Sequence, residues 1–144
     1  MTIHAFHNVD ASASDPVDIW PFEALVETLE RGLIPDWQPV FAEIRARPWG
    51  ETSRRILRWA AHTEDHAAAA LFRAAIDRAR ARTEARESEE VARRLRAAIA
   101  RSGPTAAKFA ANIGTSASRL STYANGHVMP SAAMLLRIEG FRSR

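Results

Sequence analysis

The 144-residue sequence predicts an all-α protein in two parts, and three observations carry that expectation. Ala, Leu, Arg and Glu, all good helix formers, dominate, whereas strand-like alternation of Val, Ile and Thr is nearly absent. Apolar residues recur at three- and four-residue spacing between Ser, Thr or Asp caps and Gly or Pro stops. The charge is also divided: residues 1–72 hold 6 Arg against 11 Asp and Glu, and residues 73–144 hold 14 Arg and Lys against 6 Asp and Glu. With 47% hydrophobic residues the chain has enough apolar material for a packed core.

Residues 1–15 lack periodicity and read as a flexible tail. From Trp20 to Arg31, Phe22, Leu25, Val26 and Leu29 fall at helical spacing, and Gly32 closes the pattern as a C-cap. Asp36 is placed to cap a second helix with Val40, Phe41 and Ile44 on one face, and Arg47-Pro48-Trp49-Gly50 breaks it. Thr52 to Ala61 sets Ile56, Leu57, Trp59 and Ala60 beside Arg54, Arg55 and Arg58. Thr63 is the expected cap of a fourth, longer helix with Ala67, Leu71, Ala75, Ile76 and Ala79 on its buried side.

Residues 16–86 thus read as a small helical bundle. All four tryptophans, Trp20, Trp37, Trp49 and Trp59, lie in it. Side chains of that size either complete a thin core or anchor a partner, and a small bundle's need for bulk favours the core. The run Arg78 to Arg86 can grip phosphates, although such runs are more often the wet face of a helix. No Gly or Pro interrupts Thr83 to Ser88, so the connection to the second part is expected to be helical and stiff.

In residues 87–144 the punctuation is regular. Ser88 is the expected cap of a helix opened by Glu89 and Glu90 and striped by Val91, Leu95, Ala98 and Ile99; Ser102-Gly103-Pro104 stops it. Thr105 caps a two-turn helix, Ala106 to Asn112, that buries Phe109 and Ala110. Ile113-Gly114-Thr115 makes a sharp turn in which Gly can be left-handed. Ser116 caps the next helix, with Leu120 and Tyr123 inward, and Asn125-Gly126 closes it. After His127 to Pro130, Ser131 caps a last helix carrying Leu135, Ile138 and Phe141. Two short helices joined by a tight Gly turn form the helix-turn-helix pattern.

From about Ser88 to Phe141 the sequence resembles the lambda-repressor-like, Xre-type helix-turn-helix family. The resemblance rests on Thr105, Ala110 four residues before Gly114, the Leu120-Ser121 step, Tyr123, Asn125-Gly126 and Pro130-Ser131, in that order. It implies that Ser116 to Ala124 forms a recognition helix lying in the major groove. Ala117, Ser118, Arg119 and Thr122 would then face the bases or adjacent backbone, while Thr105, Lys108, Ser116, Asn125 and His127 would contact phosphates. Arg119 is the leading specificity residue, because a guanidinium can bond a guanine edge bidentately. The sequence departs from the family at Ala106, where Gln is frequent, at Ala124, where Glu is frequent, and at Thr115, where an apolar residue is usual.

The resemblance and the basic second half together imply a sequence-specific transcriptional regulator, a repressor in the leading reading, with double-stranded DNA as its partner. Family domains commonly add a fifth helix for dimerisation; none follows Phe141, so a homodimer is expected to use the N-terminal bundle. The alternative is an antitoxin-like protein, since many small members of the family are DNA-binding partners of toxins. Its acidic, tryptophan-rich bundle would then neutralise a toxin, and operator binding would be autoregulation.

His62 and His66 stand at i, i+4, but the zincin order is absent and no third ligand lies near, so no metal is expected. His4 and His7 fall in the tail. No catalytic constellation or phosphate loop stands out, which argues against an enzyme and gives no cofactor. The absence of cysteine, of a signal peptide and of any long apolar run makes the cytoplasm the expected location.

Overall fold

The computed structural model describes Phe6, residues 10–103 and residues 105–141. The expectations for His4, His7 and Pro104 therefore lie outside the described residues. Among them every regular element is helical: a 3-10 turn at Val17–Ile19, then α1 (Phe22–Arg31), α2 (Ile34–Ala46), α3 (Glu51–Ala60), α4 (His66–Ser102), α5 (Ala106–Ile113), α6 (Ala117–Ala124) and α7 (Ala132–Gly140). Two compact units part between Arg82 and Thr83, inside α4. Each has its own core.

In the first unit the core gathers around Phe72 on α4, which has no exposed surface. The Phe41 ring stacks on it at 5.0 Å between centroids, and Trp37 and Trp59 meet it edge-on at 5.3 and 6.1 Å. Leu29, Val40, Ile44 and Ile56 fill the space around these rings. Trp20, Trp37 and Trp59 each have a satisfied indole N–H, donating to the Asp15 carbonyl, the Thr28 carbonyl and the Glu30 carboxylate. Such a partner is what lets so large a side chain enter a core. Trp49 differs: it stays exposed, with the Arg80 guanidinium 5.9 Å from its ring centre.

Local chemistry corrects several expected boundaries here. The α2 helix opens at Ile34, and Asp36 serves inside its first turn, where its carboxylate accepts the Leu33 N–H at 2.7 Å. Thr63 is not the cap of α4. Its hydroxyl accepts from the Asp65 N–H, and Asp65 in turn accepts from the Ala68 N–H at 3.0 Å, which is the capping bond. The buried face of α4 is Ala68, Ala69, Phe72, Ile76 and Ala79, whereas Ala67 and Leu71 are exposed. Gly32 ends α1 in an extended conformation (φ −68°, ψ 153°) instead of a left-handed one. Its requirement is space, because a Cβ there would fall on the Thr28 carbonyl oxygen that receives Trp37.

In the second unit α4 continues through Ser88, which is therefore interior to a helix and not its cap. Propensity explains this, since Glu, Arg and Ala surround it and nothing nearby breaks a helix. Leu95 and Ala98 of α4 pack with Phe109, Ala110 and Ile113 of α5, Leu120 and Tyr123 of α6, and Ile138 of α7. Phe141 closes the edge of this core, its ring perpendicular to Phe109 at 5.1 Å.

One polar atom in this unit has no satisfaction: the Thr115 hydroxyl is buried without a hydrogen-bond partner among the described residues. A buried unmade hydrogen bond costs about 1–3 kcal/mol. Thr115→Val, which keeps the shape and removes the hydroxyl, is expected to raise stability by about 1 kcal/mol. A urea midpoint that rises with an unchanged slope would show it, and an unchanged or lower midpoint would mean the hydroxyl is satisfied in solution.

Candidate nucleic-acid interface

Three short helices of the second unit start the same way. The Thr105 hydroxyl accepts from the Lys108 N–H, Ser116 from the Arg119 N–H and Ser131 from the Met134 N–H. Each satisfies one amide that the helix start would leave open. Between the first two lies Gly114, left-handed at φ 83° and ψ 36°, which lets the chain reverse within two residues so that α5 and α6 pack together. A residue with a Cβ resists that conformation by about 1–2 kcal/mol.

Burial of Leu120 and Tyr123 fixes which way α6 faces. Ala117, Ser118 and Arg119 consequently form one exposed first turn directly after the exposed cap Ser116. Thr122 is half-buried and its hydroxyl donates to the Ser118 carbonyl at 2.8 Å. Asn125 ends α6, its amide 3.4 Å from the Ser121 hydroxyl, and His127 is exposed just beyond. Lys108 is exposed on α5. The charged ends of Lys108 and Arg119 make no hydrogen bond or ion pair among the described residues.

The surrounding charge is one-sided. No Asp or Glu occurs between residues 102 and 138. The first acid after it, Glu139, is held by Arg94 through two bonds of 2.6 and 2.8 Å. On α4, Glu89 pairs with Arg96 and Glu90 with Arg93, whose hydrogen bond holds the Glu90 carboxyl below the usual carboxylate range. Glu89, Glu90 and Glu139 are thus each held by an arginine of α4.

Two residues at this surface escape a reading of the sequence. Arg96 on α4 donates to the Ala124 carbonyl at 2.8 Å and so ties the end of α6 to the core helix. Arg137 on α7 brings a guanidinium nitrogen within 3.8 Å of where a Gly114 Cβ would lie, placing a cation at the α5–α6 turn. Both depend on pairings far apart in the chain, for which spacing gives no signal.

The other candidates are spread out. His62 and His66 are exposed, and the His62 Nδ1 lies 3.0 Å from the Arg58 carbonyl. Among the described residues no group of three or more His, Asp or Glu is placed to hold a metal ion, and no helix is long and apolar enough to cross a membrane. No protein-family model, curated protein or solved structure matches the chain.

Proposed function

We propose that the protein is a sequence-specific DNA-binding transcriptional regulator whose second unit reads operator DNA with α6, as the resemblance to Xre-type helix-turn-helix proteins implies. The observation that carries this reading is the exposed guanidinium of Arg119 on the first turn of α6, without a partner among the described residues and in a segment without acids. A cation so placed has no role in the core of its own unit, and it has the fork geometry that guanine O6 and N7 accept. Ser116 and Ser118 beside it offer hydroxyls for phosphate or base edges. Thr122 contributes less than its position implies, because its proton is already given to the Ser118 carbonyl. Two copies related by a two-fold axis would ask for an inverted repeat with half-sites about 34–36 Å apart.

The test compares binding of the whole chain and of Arg119→Ala to the DNA upstream of its own gene and to unrelated DNA over a salt series. Wild type is expected to prefer its own site, and Arg119→Ala to lose about 1–3 kcal/mol of that preference, roughly 5- to 150-fold, while retaining non-specific affinity. Equal binding of both DNAs by wild type would sink the reading.

A second reading, in which the first unit binds a protein partner as an antitoxin does, is favoured by one observation. An apolar hollow of about 420 Å³ opens beside α1 and α3, lined by Phe22, Val26 and Trp59. A core that leaves such a hollow uncovered offers a seat for an anchor side chain.

A further inference from the structure

We propose that the trough along α1 docks a basic amphipathic helix of a partner protein. The inference rests on the second reading above and is independent of DNA binding. Two hollows adjoin, sharing Phe22, Val26 and Glu30 as their common wall. These three residues stand at i, i+4 and i+8 on α1, so the trough follows the helix for about 12 Å, the length of two turns of a docked helix. Its floor is apolar: Phe22 is exposed, Val26 is half-buried, and the Trp59 indole is pinned in place by its bond to Glu30.

Charge decides which helix fits. The α1 wall carries Glu23 and Glu30, beside Glu27, which has a partner of its own, against the single cation Arg31, while the opposite wall carries Arg58 and His62. The Glu30 carboxylate accepts the Trp59 N–H at 3.1 Å and so fixes one end of this wall. A docked helix is therefore favoured with Lys or Arg along the edge facing α1, an apolar stripe in the floor, and at most an acid toward Arg58. Complementary rims of this kind fix orientation and suppress wrong partners more than they add affinity.

The experiment titrates two helical peptides into the whole chain. Both carry Leu at i, i+3, i+4 and i+7; along one flank of that stripe one peptide has Lys and the other Glu, and the opposite flank is neutral in both. Binding is followed by calorimetry, and the assembly state by sedimentation equilibrium. The Lys peptide is expected to bind saturably and the Glu peptide about tenfold or more weakly. Phe22→Ala combined with Glu23→Lys, both at exposed positions, is expected to weaken the Lys peptide by at least about tenfold with unchanged helicity and melting temperature. Equal affinity for the two peptides, preference for Glu, or binding unchanged in the double variant would overturn the proposed chemistry while leaving a partner site. If neither peptide binds, the partner reading falls with it. A dimer of the free chain that the double variant dissolves would give the trough to a second copy and overturn the proposal.

Discussion

Phe72→Ala is expected to cost the first unit about 3–5 kcal/mol, the range for emptying a fully packed phenylalanine site. Phe72 is where the ring contacts of Trp37, Phe41 and Trp59 meet, so its loss removes three aromatic contacts as well as buried area. Small domains have only about 5–15 kcal/mol in all, which makes the loss a large fraction of the total. The readout is direct, because all four tryptophans belong to this unit. Their emission should shift to the red at a much lower urea concentration than in wild type. Leu71→Ala is the control: Leu71 is 46% exposed, and its replacement should change stability by no more than about 0.5 kcal/mol. If the two variants unfolded alike, the orientation assigned to α4 would be wrong.

Phe109→Ala should have an effect of similar size, about 3–5 kcal/mol, on the second unit. Phe109 is fully buried and closes against Phe141 at one edge of a core that also holds Leu120 and Tyr123. Those last two are what aim α6 outward. The variant should therefore lose helicity on mild heating and with it the DNA binding proposed for α6, whereas Lys108→Ala at the neighbouring exposed position should keep its fold and lose only proposed DNA affinity and about one unit of salt slope. A Phe109→Ala protein that melts like wild type would show that the fold of α5 to α7 does not depend on this contact.

These two pairs also show what the sequence discloses. The limits of α5, α6 and α7 are legible because each is set by a local bond, a Ser or Thr hydroxyl to an amide three residues on, and because Gly114 marks a left-handed turn. The all-helical class is legible for the same reason. The rotation of α4 is not, since alanines at 67, 68, 69 and 70 leave almost no contrast between faces, and Phe72 fixes the answer only through rings from α2 and α3. Leu33 as the residue before α2 and Ser88 inside α4 both reverse ordinary capping preference: Asp36 supplies the missing acceptor in the first case, and uninterrupted helix formers override the cap in the second. In the candidate interface the exposed positions of α6 could be listed in advance. Arg96, which fastens α6 through a carbonyl 28 residues away, and the hydroxyl of Thr122, turned back onto its own helix, could not.

The choice of capping group separates the two units in one more way. Aspartate starts a helix as well as serine does. In the first unit a carboxylate takes that part at Asp65, and another, Asp36, accepts the Leu33 N–H from inside the first turn of α2. In the second, Thr105, Ser116 and Ser131 take it. Hydroxyl caps order a helix without adding negative potential at its outer end, and each keeps a proton to offer an incoming oxygen. From residue 102 to residue 138, the full formal charges are those of Lys108, Arg119 and Arg137, all positive. Replacing Ser116 by Asp would leave the helix capped and reverse the sign of the field at its tip, separating what this residue does for folding from what it does for attraction.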